Sequence, residues 1–154
     1  TNEVISNKAI ELLGGQIGSR SPVHPNDHVN LGQSSNDVIP TSIHVAAAKS
    51  IHDNLIPSLN TLKESLINKS NEFMNIVKTG RTHLQDATPI RLGQEFLGHA
   101  GQIERSVNRS LQALGELSEL AIGGTAVGTG VNTHPDFAKK TCLELSKALI
   151  GAPG

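Results

Sequence analysis

Gln94–Leu120 reads QEFLGHAGQIERSVNRSLQALGELSEL, and this stretch decides how the rest of the chain is read. Ala100, Ile103, Val107, Leu111, Leu114 and Leu117 step by three and four residues, the spacing of one helical face. The pattern is coiled-coil-like and continues over several turns. At the α-helical rise its seam is roughly 40 Å long. A seam of that length needs partners of equal length to cover it.

Upstream, a second long helical pattern starts near Asn36–Asp37. Ile39, Ile43, Ala46, Ala47, Ile51 and Leu55 share a face, and Ile56, Leu59, Leu62, Leu66 and Ile67 continue it. Pro40 is expected in the first turn, where no helical N–H bond is lost, and Pro57 should kink or break the helix. The stripe fades around Asn68–Asn71. Asn75–Lys78 and Thr88–Ile90 are short extended candidates, with a turn-like Thr79–Asp86 between them, so a small hairpin is expected.

Toward the N-terminus, Glu3–Leu13 reads as a helix with Asn2 as N-cap and Gly14-Gly15 as its stop. Gly15–Gln33 lacks periodicity and reads as a loop. Beyond Leu120, four glycines interrupt Gly123–Gly130. Thr133-His-Pro-Asp136 then resembles a capping box, starting a last helix, Pro135–Ile150, stopped at Gly151. The expected architecture is mainly all-α. Two long, nearly antiparallel helices and shorter ones form a long-helix bundle with irregular or hairpin connections. Residues 1–154 are read as a single domain, and both ends as those of a piece of a longer chain.

Composition agrees with a bundle. Of 154 residues, 36% are hydrophobic, with no Trp or Tyr and three Phe, so the core must be Leu, Ile, Val and Ala. Net charge is −1 with scattered Lys and Arg, which argues against a nucleic-acid or membrane-surface partner. No apolar run approaches the ~18 residues of a membrane span. A lone Cys142 excludes an internal disulfide and makes a reducing compartment the default. Cys142 itself reads as a small buried hydrophobe. One chain cannot easily cover both long apolar faces, so association with other chains is expected.

Four segments could carry chemistry. Gln33-Ser-Ser-Asn-Asp37 lies at a helix start, where free N–H groups and a positive partial charge favour an anion. It reads either as a carboxylate cradle or as an N-cap with spare polar residues. Gly80–Pro89 gathers Arg81, Thr82, His83, Gln85 and Asp86, and His is the side chain that most readily moves protons near neutral pH. It reads either as a site or as a loop bonded to itself. Gly123–His134 fits a phosphate loop poorly, because Thr129 and not Lys follows Gly128. Its glycines permit an irregular turn close to a ligand or a helix. His24-Pro-Asn-Asp-His28 has two His and one Asp, but no Cys or Glu nearby completes a metal set. An anion-binding or surface loop is the expected reading there.

Taken together and in order, these segments resemble the class II fumarases of the fumarase/aspartase superfamily. The resemblance covers essentially the whole chain. Three details separate it from aspartases: the second Ser of Gln33-Ser-Ser-Asn-Asp37, His83 in Arg81-Thr-His-Leu-Gln-Asp86, and His134 in Val131-Asn-Thr-His-Pro135. The resemblance implies a fumarase/aspartase-like central domain and the reversible hydration of fumarate to L-malate in the tricarboxylic acid cycle. It implies a homotetramer, no metal and no organic cofactor, and active sites each built from three chains.

Residue by residue, Ser34, Ser35 and Asn36 match the substrate-binding Ser-Ser-Asn, and Thr82 a substrate-binding Thr. His83 matches the catalytic His assigned to proton transfer through a bound water. His24, Pro25, Asn26 and Asp27 match a second anion site. Some relatives are basic at the position of Ser21, whereas here Arg20 is adjacent. Asn132 or His134 are outer contacts in this reading. The family's Gly/Ser-rich substrate segment would precede Thr1, and its mobile loop with a catalytic Ser, a Lys and an Asn would follow Gly154. This chain alone is therefore expected to be inactive. Another lyase of the superfamily acting on succinyl compounds, and a non-catalytic helical oligomerisation module, are the alternatives. A cytoplasmic location is expected, or the mitochondrial matrix in a eukaryote.

Overall fold

The computed structural model describes residues 1–150, so the expected stop at Gly151 and the tail after it lie outside the described residues. The fold is mainly helical, as expected. Five α-helices and one hairpin follow in order: α1 (Asn2–Leu12), α2 (Ser35–Ser50), α3 (Ile56–Phe73), β1 (Val77–Thr82), β2 (Gln85–Arg91), α4 (Leu92–Leu117) and α5 (Phe137–Ile150). Contacts divide the chain into two compact units, one of Val45–Glu119 and one of Thr1–His44 with the segment from Leu120 onward.

The second of the long helical patterns differs from expectation at Pro40. The helix starts at Ser35, which makes Pro40 its sixth residue and an interior one. Pro40 has no N–H to give the Asn36 carbonyl. The start is drawn upstream by side-chain capping at both Ser34 and Asp37. The Ser34 Oγ accepts from the Asn36 N–H at 3.2 Å, and the Asp37 carboxylate accepts from the Ser34 N–H at 2.9 Å. Ahead of Pro57, where a kink or a break was expected, the helix widens. Ile51–Leu55 form one π turn, with Ser50 and Ile56 on either side still right-handed helical. Shifting the preceding bonds to i→i+5 accommodates a ring that has no N–H and crowds the carbonyl four residues back.

Within the unit Val45–Glu119, α3 and α4 run antiparallel, as the pairs Phe73 with Phe96, Ser70 with Gly93 and Lys63 with Glu104 show. The Phe73 and Phe96 rings meet edge to face at 5.3 Å. The helices approach closely at Gly93, where an added Cβ would lie 2.3 Å from the Ser70 carbonyl oxygen. The buried Ser70 hydroxyl donates back to the Gly93 carbonyl at 2.7 Å. Of the expected α4 seam, Ala100 and Val107 are buried, while Leu111 is more than half exposed.

The hairpin between them is longer than the sequence implied. Thr82 pairs with Gln85, so the loop is only His83-Leu84. Both loop residues have positive φ, 51° and 61°, the pattern of a type I′ turn that suits right-twisted strands. Arg81, Thr82, Gln85 and Asp86 are therefore strand residues. Between the pairs Thr79–Pro89 and Arg81–Asp86, Gly80 faces both Ala87 and Thr88, a β-bulge. Arg91 closes the unit: its N–H donates to the Gln94 side chain at 2.9 Å, and its guanidinium donates to the Met74 carbonyl at the end of α3, also at 2.9 Å.

In the other unit, α1 begins one residue earlier than expected. Asn2 lies inside the helix, and its side chain donates to Asn30 at 2.9 Å. The long loop hangs on this helix, since the Ser6 hydroxyl donates to the Val23 carbonyl at 2.6 Å and the Asn7 side chain accepts from the Gly18 N–H at 3.0 Å. Ile10 is fully buried. The loop is not wholly irregular: Pro25–Val29 form a π turn capped by the His24 ring. The expected capping box at Thr133–Asp136 is not formed. The Thr133 hydroxyl is spent on the Gly130 carbonyl at 2.6 Å, and the His134 Nδ1 accepts the Asp136 N–H at 3.1 Å in its place. Cys142, expected to be buried, is exposed.

Candidate functional site

In the unit containing the chain's first residues, the start of α2 opens into a cleft of about 670 Å³. Its walls come from three stretches: Asn26, Asp27 and Asn30; Gly32, Gln33 and Ser34; and Thr125, Ala126 and Asn132. The size is that of a small-ligand site. Ser34 is the N-cap of α2, and its Oγ uses one lone pair for the Asn36 N–H. The hydroxyl proton is left to turn toward an acceptor in the cleft. Asn36 gives one amide hydrogen to the Ala126 carbonyl at 2.8 Å, which leaves the second. The N-cap and carboxylate-cradle readings of Gln33–Asp37 are thus compatible.

Asp37 organises the cleft's edge. It is fully buried, with one carboxylate oxygen on the Ser34 N–H and the other on the N–H groups of Gly123 (3.1 Å) and Thr125 (2.9 Å). Burial is the largest single influence and acts to raise its pKa. The backbone donors Ser34, Thr125 and Gly123 together outweigh it and hold the carboxyl below its ordinary value. Thr125 is β-branched yet has φ 56°, a strained conformation, and its buried hydroxyl has no partner among the described residues. Asp37 and Thr125 lie inside two of the segments singled out in the sequence, but neither was assigned a role there. For Asp37 a signal existed, Ser34 followed three residues later by an acid; Thr125 gave none.

The His24–Asp27 segment borders the same cleft through Asn26 and Asp27. The His24 Nδ1 accepts from the Asn26 N–H at 3.3 Å and the Asp27 N–H at 3.2 Å. The His28 Nδ1 accepts the His24 N–H at 2.8 Å. Each Nδ1 therefore accepts from the backbone, which assigns the ring N–H to Nε2. Pro25 is buried beneath the turn. Arg20, adjacent in sequence, leans toward Glu3 at 3.8 Å. No group of three or more His, Cys, Asp or Glu is placed to hold a metal ion among the described residues.

Gly123–His134 lines a second cavity of about 720 Å³, with Thr129, Thr133 and His134 among its polar groups. Asn132, at φ 63°, faces the first cavity. Thr82 and His83 belong to the other unit. Thr82 ends β1 opposite Gln85, and His83 is exposed at the turn beside Leu84, whose side is 93% exposed. A left-handed backbone is uncommon for such side chains, and strain of this kind gathers at functional positions.

No helix among the described residues is long and apolar enough to cross a membrane. A lyase family model matches residues 1–153. The chain is 55% identical over 152 residues to the class II fumarate hydratase of Nitrosomonas europaea, covering 99% of this chain and 33% of that protein. It is 57% identical over 152 residues to the mitochondrial fumarate hydratase of Rhizopus oryzae, covering 99% of this chain and 31% of the relative. The crystal structure of class II fumarase from Schistosoma mansoni superposes with a TM-score of 0.91 at 47% identity, covering 96% of this chain and 31% of that one. The chain thus spans about a third of the length of the curated relatives it matches. Residues 1–153 match one family throughout, and the relatives agree in kind: the chain belongs to the lyase family, within the class II fumarase branch of the fumarase/aspartase superfamily.

Proposed function

We propose that this chain is the central part of a fumarate hydratase, which interconverts fumarate and L-malate. The observation that carries the reading is the start of α2. There Ser34 and Asn36 retain hydrogen-bond donors beside a cleft of about 670 Å³, in a chain 55% identical to a class II fumarate hydratase. In the malate-to-fumarate direction, a proton leaves the carbon beside a carboxylate and hydroxide leaves the adjacent carbon with a proton, as water. The electron pair left by the first proton spreads into that carboxylate. Donors aimed at the developing charge lower the barrier. Ser34, Ser35, Asn36 and the α2 terminus are the donors in this reading, with Thr82 as a further substrate contact.

His83 exchanges the proton through a bound water, and the exposed turn presents it for that task. Asn26 and Asp27, with His24 and Pro25 behind them, form the second anion site. The hairpin and the cleft are completed by neighbouring chains in a homotetramer. The protein works in the cytoplasm, or in the mitochondrial matrix in a eukaryote. Relatives of both bacterial and mitochondrial description support that pair of locations.

The test is His83→Asn in a full-length chain. Loss of fumarate absorbance in the ultraviolet should slow by about 10²–10⁴-fold, the usual contribution of a positioned acid–base group. Unchanged turnover would remove His83 from the mechanism.

A further inference from the structure

We infer that Asp37 is a positioning residue of this site. It clamps the glycine-rich loop to the start of α2 and so sets where the Ser34 hydroxyl and the Thr125–Ala126 wall stand. The inference rests on the fumarate-hydration reading for its kinetic consequence only.

A capping box by itself needs one carboxylate oxygen, at the first turn, open to water. Asp37 does more. Its Oδ1 takes the Ser34 N–H at 2.9 Å, while Oδ2 reaches segments 86 and 88 residues away, accepting from Gly123 at 3.1 Å and Thr125 at 2.9 Å. It is fully buried, so these donors stand in for the water it has lost. Both loop residues it holds are in left-handed backbone, Gly123 at φ 89° and Thr125 at φ 56°. For a β-branched residue that conformation persists only where its surroundings enforce it.

A second tether runs alongside, from the Asn36 side chain to the Ala126 carbonyl at 2.8 Å. Ser34, Thr125 and Ala126 all line the cleft, and Asp37 touches two of these three directly. Asp37 itself faces backbone amides and not the cleft. It therefore acts through its neighbours. Asn at this position keeps the shape but presents an amide NH2 on one side, opposing either the Ser34 N–H or the two loop N–H groups.

The experiment compares Asp37→Asn, Ser34→Ala and the double variant in a full-length chain, with KM and kcat for fumarate measured separately. A misplaced binding group costs about 10–100-fold. Asp37→Asn should raise KM by that order, and most of the increase should vanish in the Ser34→Ala background, since coupled sites are not additive. A fall in thermal stability with KM and kcat unchanged would overturn the proposal, as would full additivity. Should the variant fail to fold, amide hydrogen exchange in the unsubstituted protein decides. Ser34, Gly123 and Thr125 should exchange slowly and together, and rapid exchange of the loop pair would sink the clamp. If the unsubstituted full-length chain does not hydrate fumarate, the functional reading fails, and the exchange measurement still judges the clamp.

Discussion

Asp37 ties its protonation state to the stability of the fold. Its folded pKa lies below the ordinary carboxyl value because backbone donors outweigh burial. Ionised Asp37 therefore stabilises the fold above the unfolded value of about 3.9, and this contribution is lost as pH falls through the lower folded value. At neutral pH, Asp37→Asn should cost about 1–3 kcal/mol in urea unfolding, through a buried N–H left facing an amide. The gap between the two proteins should narrow below about pH 4, as the unsubstituted carboxylate protonates. A gap that stays constant on acidification would contradict this role. The candidate residues at this scale were named from the words Ser34-Ser-Asn-Asp37 and Arg81-Thr-His83. The partner of Asp37 was not, because backbone amides 86 and 88 residues away leave no trace in side-chain identity.

Among the elements, the hydrophobic period made α4 and its antiparallel packing readable, because side chains three and four apart must share a face. The hairpin was half readable. Its existence followed from extended residues around a turn, but the turn was placed too broadly. Type I′ turns favour Asn-Gly, and His83-Leu84 carries neither residue. A local rule broken at the proposed proton-transfer residue is the sort of exception that function imposes. Pro40 was misplaced because capping at Ser34 starts the helix earlier, and the π turn at Ile51–Leu55 ahead of Pro57 is likewise a bonding adjustment that composition does not reveal. The α3–α4 contact makes its own prediction. Gly93→Ala would set a Cβ 2.3 Å from the Ser70 carbonyl oxygen, a backbone atom that cannot swing aside. The helices must part there, at a cost of about 1–3 kcal/mol or more in chemical unfolding. A loss within a few tenths of a kcal/mol would show that the crossing is looser than described.

For the whole molecule, the core is thin. Ile10, Ala100 and Val107 are the buried hydrophobic side chains among the described residues, while Leu62, Ile67, Leu97 and Leu111 of one unit remain over a third exposed. Apolar faces of this extent call for cover from other chains. The length of the Gln94–Leu120 seam had already implied this, and the homotetramer proposed above supplies it. Light scattering on a full-length chain should give four subunits, and a monomer at micromolar concentration would contradict that assembly. The central claim, that these residues form the middle of a fumarate hydratase, is tested most directly by turnover. Fumarate should be converted to L-malate by a full-length chain carrying Thr1–Gly154 and not by the 154-residue chain alone, followed by ultraviolet loss of the double bond. No malate from the full-length chain would contradict the functional account, and robust turnover by the short chain would contradict its division of the site.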